Sequence, residues 1–121
     1  MTIRSLLPGL AVCVALGSTN AFAEASPRGD EMERARCGAI IDLFVAADPG
    51  VNKDGQALAA AQDRTYVFLM WAHGYLSGRD GIDFARRPLN QDGITALVGE
   101  IHEVCRADEG RLFLDAVKEI R

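Results

Sequence analysis

The feature that most restricts this chain is a pair of cysteines, Cys37 and Cys105, in what reads as a short exported domain. Residues 1–23 have the makeup of an export signal: Arg4 supplies the positive start, Leu6 to Leu16 an apolar run interrupted by Pro8-Gly9, and Ala21-Phe22-Ala23 a small-x-small cleavage site. Cleavage after Ala23 starts the mature chain at Glu24, discards Cys13 and leaves 98 of the 121 residues. In an oxidising compartment the two remaining cysteines have one possible pairing. Closing a loop of that size contributes roughly 4 kcal/mol in a chain-entropy model, against the ~5–15 kcal/mol that small domains keep as net stability. A metal site is the competing use of Cys105, because His102 lies three residues earlier on the same helical face, but two ligands without a second pair do not make one. A reactive thiol would need a CxxC or a nearby base, and neither is present.

Charge removes further classes. Losing Arg4 leaves 12 basic residues against 17 acidic ones, a net −5 for the mature chain. An acidic surface without a Lys/Arg stripe opposes the phosphate backbone, so nucleic acid is not an expected partner. After Ala23 no apolar run approaches the ~20 residues of a membrane span. Leu10-Ala11-Val12-Cys13 loosely resembles a lipobox, but Val12 is bulky where a small residue belongs and the apolar run continues past Cys13.

The apolar pattern predicts helices throughout. Residues 24–36 are charged and carry Pro27 and Gly29, so a flexible mature N-terminus is expected, with Asp30 available to cap a short helical segment. From Cys37 an apolar helix with Ile40, Ile41, Leu43, Phe44 and Val45 runs to Asp48-Pro49-Gly50. The loop after Val51 holds Asn52-Lys53-Asp54-Gly55, but the alternating oxygen ligands and closing Glu of a calcium loop are missing. A central helix then runs from Ala57 to a stop at Gly78, carrying Tyr66, Met70, Trp71 and Tyr75. Asn90 caps a third helix whose Ile94, Leu97, Val98, Ile101 and Cys105 share one face, and Leu112 to Ile120 forms a final amphipathic helix. The expected fold over residues 37–121 is therefore all-α: a small bundle of four to five helices closed by one disulfide, which ties the start of the first core helix to the end of the third.

Trp71-Ala72-His73-Gly74-Tyr75-Leu76-Ser77-Gly78, together with Cys37-Gly38 opening an apolar helix and Leu112-Phe113-Leu114-Asp115-Ala116-Val117 after the second cysteine, resembles the HdeA/HdeB family of periplasmic acid-stress chaperones. The resemblance covers residues 37–120. It implies a periplasmic protein that is a homodimer near neutrality and that in strong acid dissociates, loosens and holds unfolding client proteins, with no cofactor. On that reading the client or dimer surface falls on Ile40, Ile41, Phe44, Tyr66, Met70, Trp71, Tyr75, Leu112 and Phe113. A second family is similar in look: the Tai-type immunity proteins of type VI secretion are also small, exported, helical and disulfide-bearing, and bind a secreted toxin at neutral pH. An HdeA-like envelope protein without chaperone activity is the third reading.

The charge count is compatible with acid activation, since the carboxylates lose charge near pH 4 and the net moves from −5 to about +15. The same swing awaits any acidic domain. Trp71, Tyr75 and Met70 at helical spacing equally describe a core face, and Gly74 and Gly78 a close helix approach or a helix end. For catalysis, Ser77 beside His73 lies on the aromatic helix without an elbow or oxyanion loop. The carboxylate pairs Asp80/Asp83 and Glu100/Glu103 are of the kind that solvated faces carry, so no catalytic residue and no enzyme activity is expected.

Overall fold

The computed structural model describes residues 29–121; the export signal, Cys13 and the start at Glu24 lie outside them. Five helices follow in order: α1 (Gly29–Arg34), α2 (Cys37–Ala46), α3 (Gly55–Asp80), α4 (Gln91–Ala107) and α5 (Phe113–Val117). No strand occurs among the described residues, only an isolated antiparallel bridge between Arg36 and Leu112. The architecture is the disulfide-closed all-α bundle that the periodicity predicts.

Each boundary has a local cause. Two residues of the loop start α3: the Asp54 carboxylate accepts from the backbone N–H groups of Gln56 and Ala57, both at 3.1 Å, and Asn52 Oδ1 accepts from Asp54 N. At the start of α4 the Asn90 side chain accepts from Gly93 N at 2.9 Å, the predicted cap. Gly93 is itself required there, since a Cβ would run into the Pro88 carbonyl. α2 has no side-chain cap. Its first N–H groups are satisfied from across the fold instead, Cys37 N donating to Arg111 O (2.9 Å) and Gly38 N to Glu109 O (2.8 Å).

Several expectations need correction. The short helical segment near Asp30 is α1, Gly29–Arg34, and it buries Met32 to 8% exposure, while Asp30 sits in its first turn and pairs with Arg34 rather than capping. The central helix does not stop at Gly78. It continues to Asp80 and ends at Gly81, whose φ of +89° is the conformation that only glycine adopts without strain. Gly74 and Gly78 also do not allow a close helix approach within the chain, because both are exposed and a Cβ on either would meet nothing within 4 Å. The final helix is shorter than Leu112–Ile120, spanning Phe113–Val117.

The core sits where α2, α4 and α5 close on the inner face of α3. Its fully buried side chains are Phe113, Ile40, Leu76, Ile101, Val117 and the two cysteines. Cys37 and Cys105 are bonded, with Cα atoms 4.8 Å apart, joining the first residue of α2 to the last turn of α4.

Candidate functional site

The long central helix divides its residues by face. Ala61, Thr65, Phe68, Leu69, Ala72 and Leu76 are buried against the bundle. Tyr66 is 59% exposed, and Val67, Met70, Trp71 and Tyr75 are half-buried around it. Val67, Met70, Trp71 and Tyr75 pack against the edge of the core, so the apolar surface of α3 extends past its buried face to the exposed Tyr66, among polar side chains such as Gln62, Asp63 and His73.

An aromatic row anchors this helix to α5. Phe113 meets Phe68 edge-on (centroids 5.3 Å, 88°) and lies tilted on Trp71 (5.8 Å, 54°). Trp71 in turn stacks on Tyr75 (5.5 Å, 12°) one turn along. Such pairs add about 0.5–1.5 kcal/mol beyond area burial. The row runs from the fully buried Phe113 out to the half-exposed Tyr75.

The sequence-predicted surface residues separate on this geometry. Ile40, at 2% exposure, and Phe113, at 0%, belong to the core in the folded state, so they are reachable for a client only when the bundle opens. Helical periodicity marks an apolar face without saying how deep it lies. Ile41, Phe44 and Leu112 are half-buried on α2 and the α4–α5 link; on α3 Tyr66 is exposed, Met70 half-buried one turn along from it, and Trp71 and Tyr75 half-buried in the aromatic row. Beside them α1, α2 and α3 enclose an open groove of about 610 Å³, with Ala35, Ala39, Leu43, Ala46 and Phe68 among its lining residues.

Three arginines hold the C-terminal segment over this core, an arrangement invisible in the residue pattern because their acceptors are mostly backbone carbonyls. Arg79 donates to Lys118 O (2.9 Å) and Ile120 O (2.5 Å), and both arms of its guanidinium are gripped by Asp80 at 2.7 Å. Arg87 donates to Glu100 (3.0 Å) and to Arg121 O (3.1 Å). Arg111 pairs with Glu119 at 2.8 Å. Since α5 is only five residues long, its C-terminal side depends on such donors to satisfy carbonyls that no further turn can reach. The hydrogen bonds from Arg79 hold the Asp80 carboxyl below the ordinary carboxylate range, helped by the charges of Arg86 and Arg87, and Arg111 does the same for Glu119.

His73 ties α3 to the connector that follows it. Its Nε2 lies 3.0 Å from Arg87 O and its Nδ1 3.4 Å from Ser77 Oγ. With the Nε2 proton donated to the carbonyl, Nδ1 accepts from the serine, and the pair fixes the ring between helix and loop. His102 is exposed, and Cys105 is committed to the disulfide. Among the described residues no group of three or more His, Cys, Asp or Glu side chains could hold a metal ion, and no helix is long and apolar enough to cross a membrane.

The fold defines a class, the small helical bundle closed by one disulfide. Comparison of the chain with protein-family models, with curated proteins and with solved structures gives no match in any of the three.

Proposed function

We propose that this protein is an exported, periplasmic HdeA-like holdase: a homodimer near neutrality that opens in strong acid and binds unfolding proteins on apolar surface. The dimer contact is the outer face of α3, with Tyr66, Met70, Trp71 and Tyr75. Opening adds Ile40 and Phe113 to the surface offered to clients.

The observation that carries this reading is the way the C-terminal segment is fastened. Each arginine that holds it is paired with a carboxylate: Arg79 with Asp80, Arg87 with Glu100 and Arg111 with Glu119. In strong acid Arg79 and Arg111 lose the charge of Asp80 and Glu119, while the net charge of the chain turns strongly positive. Of these carboxylates Glu119 lies in the C-terminal segment itself, so α5 loosens there while Cys37–Cys105 keeps α2 and α4 joined, and the chain opens without fully unfolding. The lid released in this way carries Phe113, whose departure uncovers Phe68 and Trp71.

The test follows size and client aggregation from pH 7 to pH 2. A dimer that dissociates below about pH 4 and then suppresses aggregation of an acid-sensitive client is the expected result. Unchanged quaternary state and no protection at pH 2–3 refute the reading. Nanomolar binding of a single secreted toxin at pH 7 would establish the immunity role in its place.

A further inference from the structure

We propose that the end of the molecule where α3 terminates is a peripheral docking surface for anionic lipid membranes. This goes beyond the holdase reading and does not depend on it, because the surface is already exposed in the folded state.

The connector between α3 and α4 carries three large apolar side chains in solvent: Ile82 at 74% exposure, Phe84 at 58% and Leu89 at 53%. They project from a turn-rich segment, which is shaped by Asp83 Oδ1 accepting from the backbone N–H groups of Ala85 and Arg86 at 3.0 and 3.1 Å. No internal role accounts for them. Arg86 lies among them, and its guanidinium has no hydrogen-bond or ion-pair partner among the described residues.

The charge around this tip is unlike that of the rest of the chain. Residues 79–90 and 115–121 hold five of the 12 basic side chains and four of the 17 acidic ones; the remainder of the chain from Glu24 holds seven against thirteen. Of the four acids, Asp80 is held by Arg79, Glu119 by Arg111, and Asp115 lies 3.3 Å from Lys118 Nζ, while Asp83 is engaged by the turn. Arg86, which also feels the charge of Asp80, and Arg121 make no side-chain ion pair among the described residues, and they share a polar concavity of about 580 Å³ with Arg79, Lys118 and the paired Asp80 and Glu119. Protruding apolar groups interleaved with free cations are what an anionic bilayer recognises: the apolar tips enter the headgroup boundary and the cations meet the surface potential.

The shape favours a bilayer over a protein. A stable protein interface needs about 800 Å² per partner with close complementarity, whereas the apolar groups here sit on a short connector and the concavity beside them is polar. A lipid surface asks only that the apolar groups project together.

The experiment measures flotation of the purified protein with vesicles of phosphatidylglycerol and of phosphatidylcholine at pH 7 and low salt. Binding to the anionic vesicles alone, weakened by salt, is expected. Both the pair Ile82→Ser/Phe84→Ser and the pair Arg86→Gln/Arg121→Gln should reduce it by about ten-fold or more. All four positions are at the surface, and unchanged circular dichroism confirms that the variants fold. The proposal is overturned if phosphatidylglycerol vesicles are not bound, if the serine pair binds them like the wild type, or if the serine pair instead dissociates a wild-type oligomer. Equal binding to phosphatidylcholine also overturns it. Competition by millimolar inorganic phosphate with no loss in the serine pair would show a free-anion site in place of a membrane contact.

Discussion

Breaking the Cys37–Cys105 bridge gives the sharpest energetic prediction. The cysteines are 68 positions apart, and the chain-entropy relation for a closed loop of that length gives about 4.4 kcal/mol at 25 °C. Both side chains are fully buried, so the double variant Cys37→Ala/Cys105→Ala also leaves two small voids beside Ile40, Ile101 and Phe113. The backbone gains nothing to offset this, because Cys37 N and Gly38 N keep their carbonyl partners only while the 109–111 turn stays docked on α2. A loss of about 4 kcal/mol, in a domain whose unfolding entropy makes each kcal/mol worth about 4–8 °C, corresponds to a drop in Tm of roughly 16–30 °C. Guanidinium unfolding of the oxidised wild type, the reduced wild type and the double alanine variant measures the same quantity without extrapolating in temperature. The reduced protein isolates the loop-closure contribution, and its difference from the alanine variant gives the packing part. A stability change below about 1 kcal/mol on reduction would refute the argument that a chain this short needs the bridge to hold its core.

The remaining predictions concern the glycines and the acid response. Gly74→Ala and Gly78→Ala should each raise the stability of the isolated chain by up to about 1 kcal/mol, since both glycines are exposed in mid-helix with open space around them, whereas Gly93→Ala should destabilise it by driving a Cβ into the Pro88 carbonyl; chemical denaturation of the three variants decides the contrast. The pH dependence has a definite sign. Asp80 and Glu119 are held below the ordinary carboxylate range when folded, so their contribution is complete above the unfolded-state values of about 4 and is lost as pH falls through the folded-state ones. Asp80→Asn and Glu119→Gln should therefore flatten the fall of stability between about pH 5 and pH 2, more visibly at low salt because both carboxylates are open to solvent. Urea midpoints across that range provide the measurement, and an unchanged slope in the double variant would show that these pairs do not sense acid.

What the sequence made legible was whatever rests on local patterning. Asn90 as a cap, Asp48-Pro49-Gly50 as a stop and the 3,4 spacing from Ile94 to Cys105 each act within a turn or two, and the helices they delimit stand where the spacing puts them. The end of the central helix was misplaced because Gly78 and Gly81 look alike in sequence, and only the backbone shows that Gly81 takes the positive φ. α1 shows in the sequence only as a possible short segment at Asp30, because Met32 is a lone apolar residue in a charged stretch; that one side chain reaches the core and α1 rests on α5. The site was legible only in part. The aromatic row on α3 follows from spacing, but the depth of Ile40 and Phe113 depends on which elements close over them. The hold of Arg79 and Arg87 on the C-terminal carbonyls spans 34 to 41 positions and leaves no pattern in residue types. The three exposed apolar residues of the connector were visible in the sequence, but a turn gives no periodicity from which their exposure could be read.

The central claim is that acid opens this bundle by loosening the C-terminal segment while the disulfide keeps the rest joined. Its most direct measurement is light scattering coupled to a client-aggregation assay on the oxidised protein, titrated from pH 7 to pH 2. The account predicts a dimer that becomes an expanded monomer below about pH 4, with protection of the client appearing over the same interval. A particle of constant size that leaves the client to aggregate throughout would contradict it.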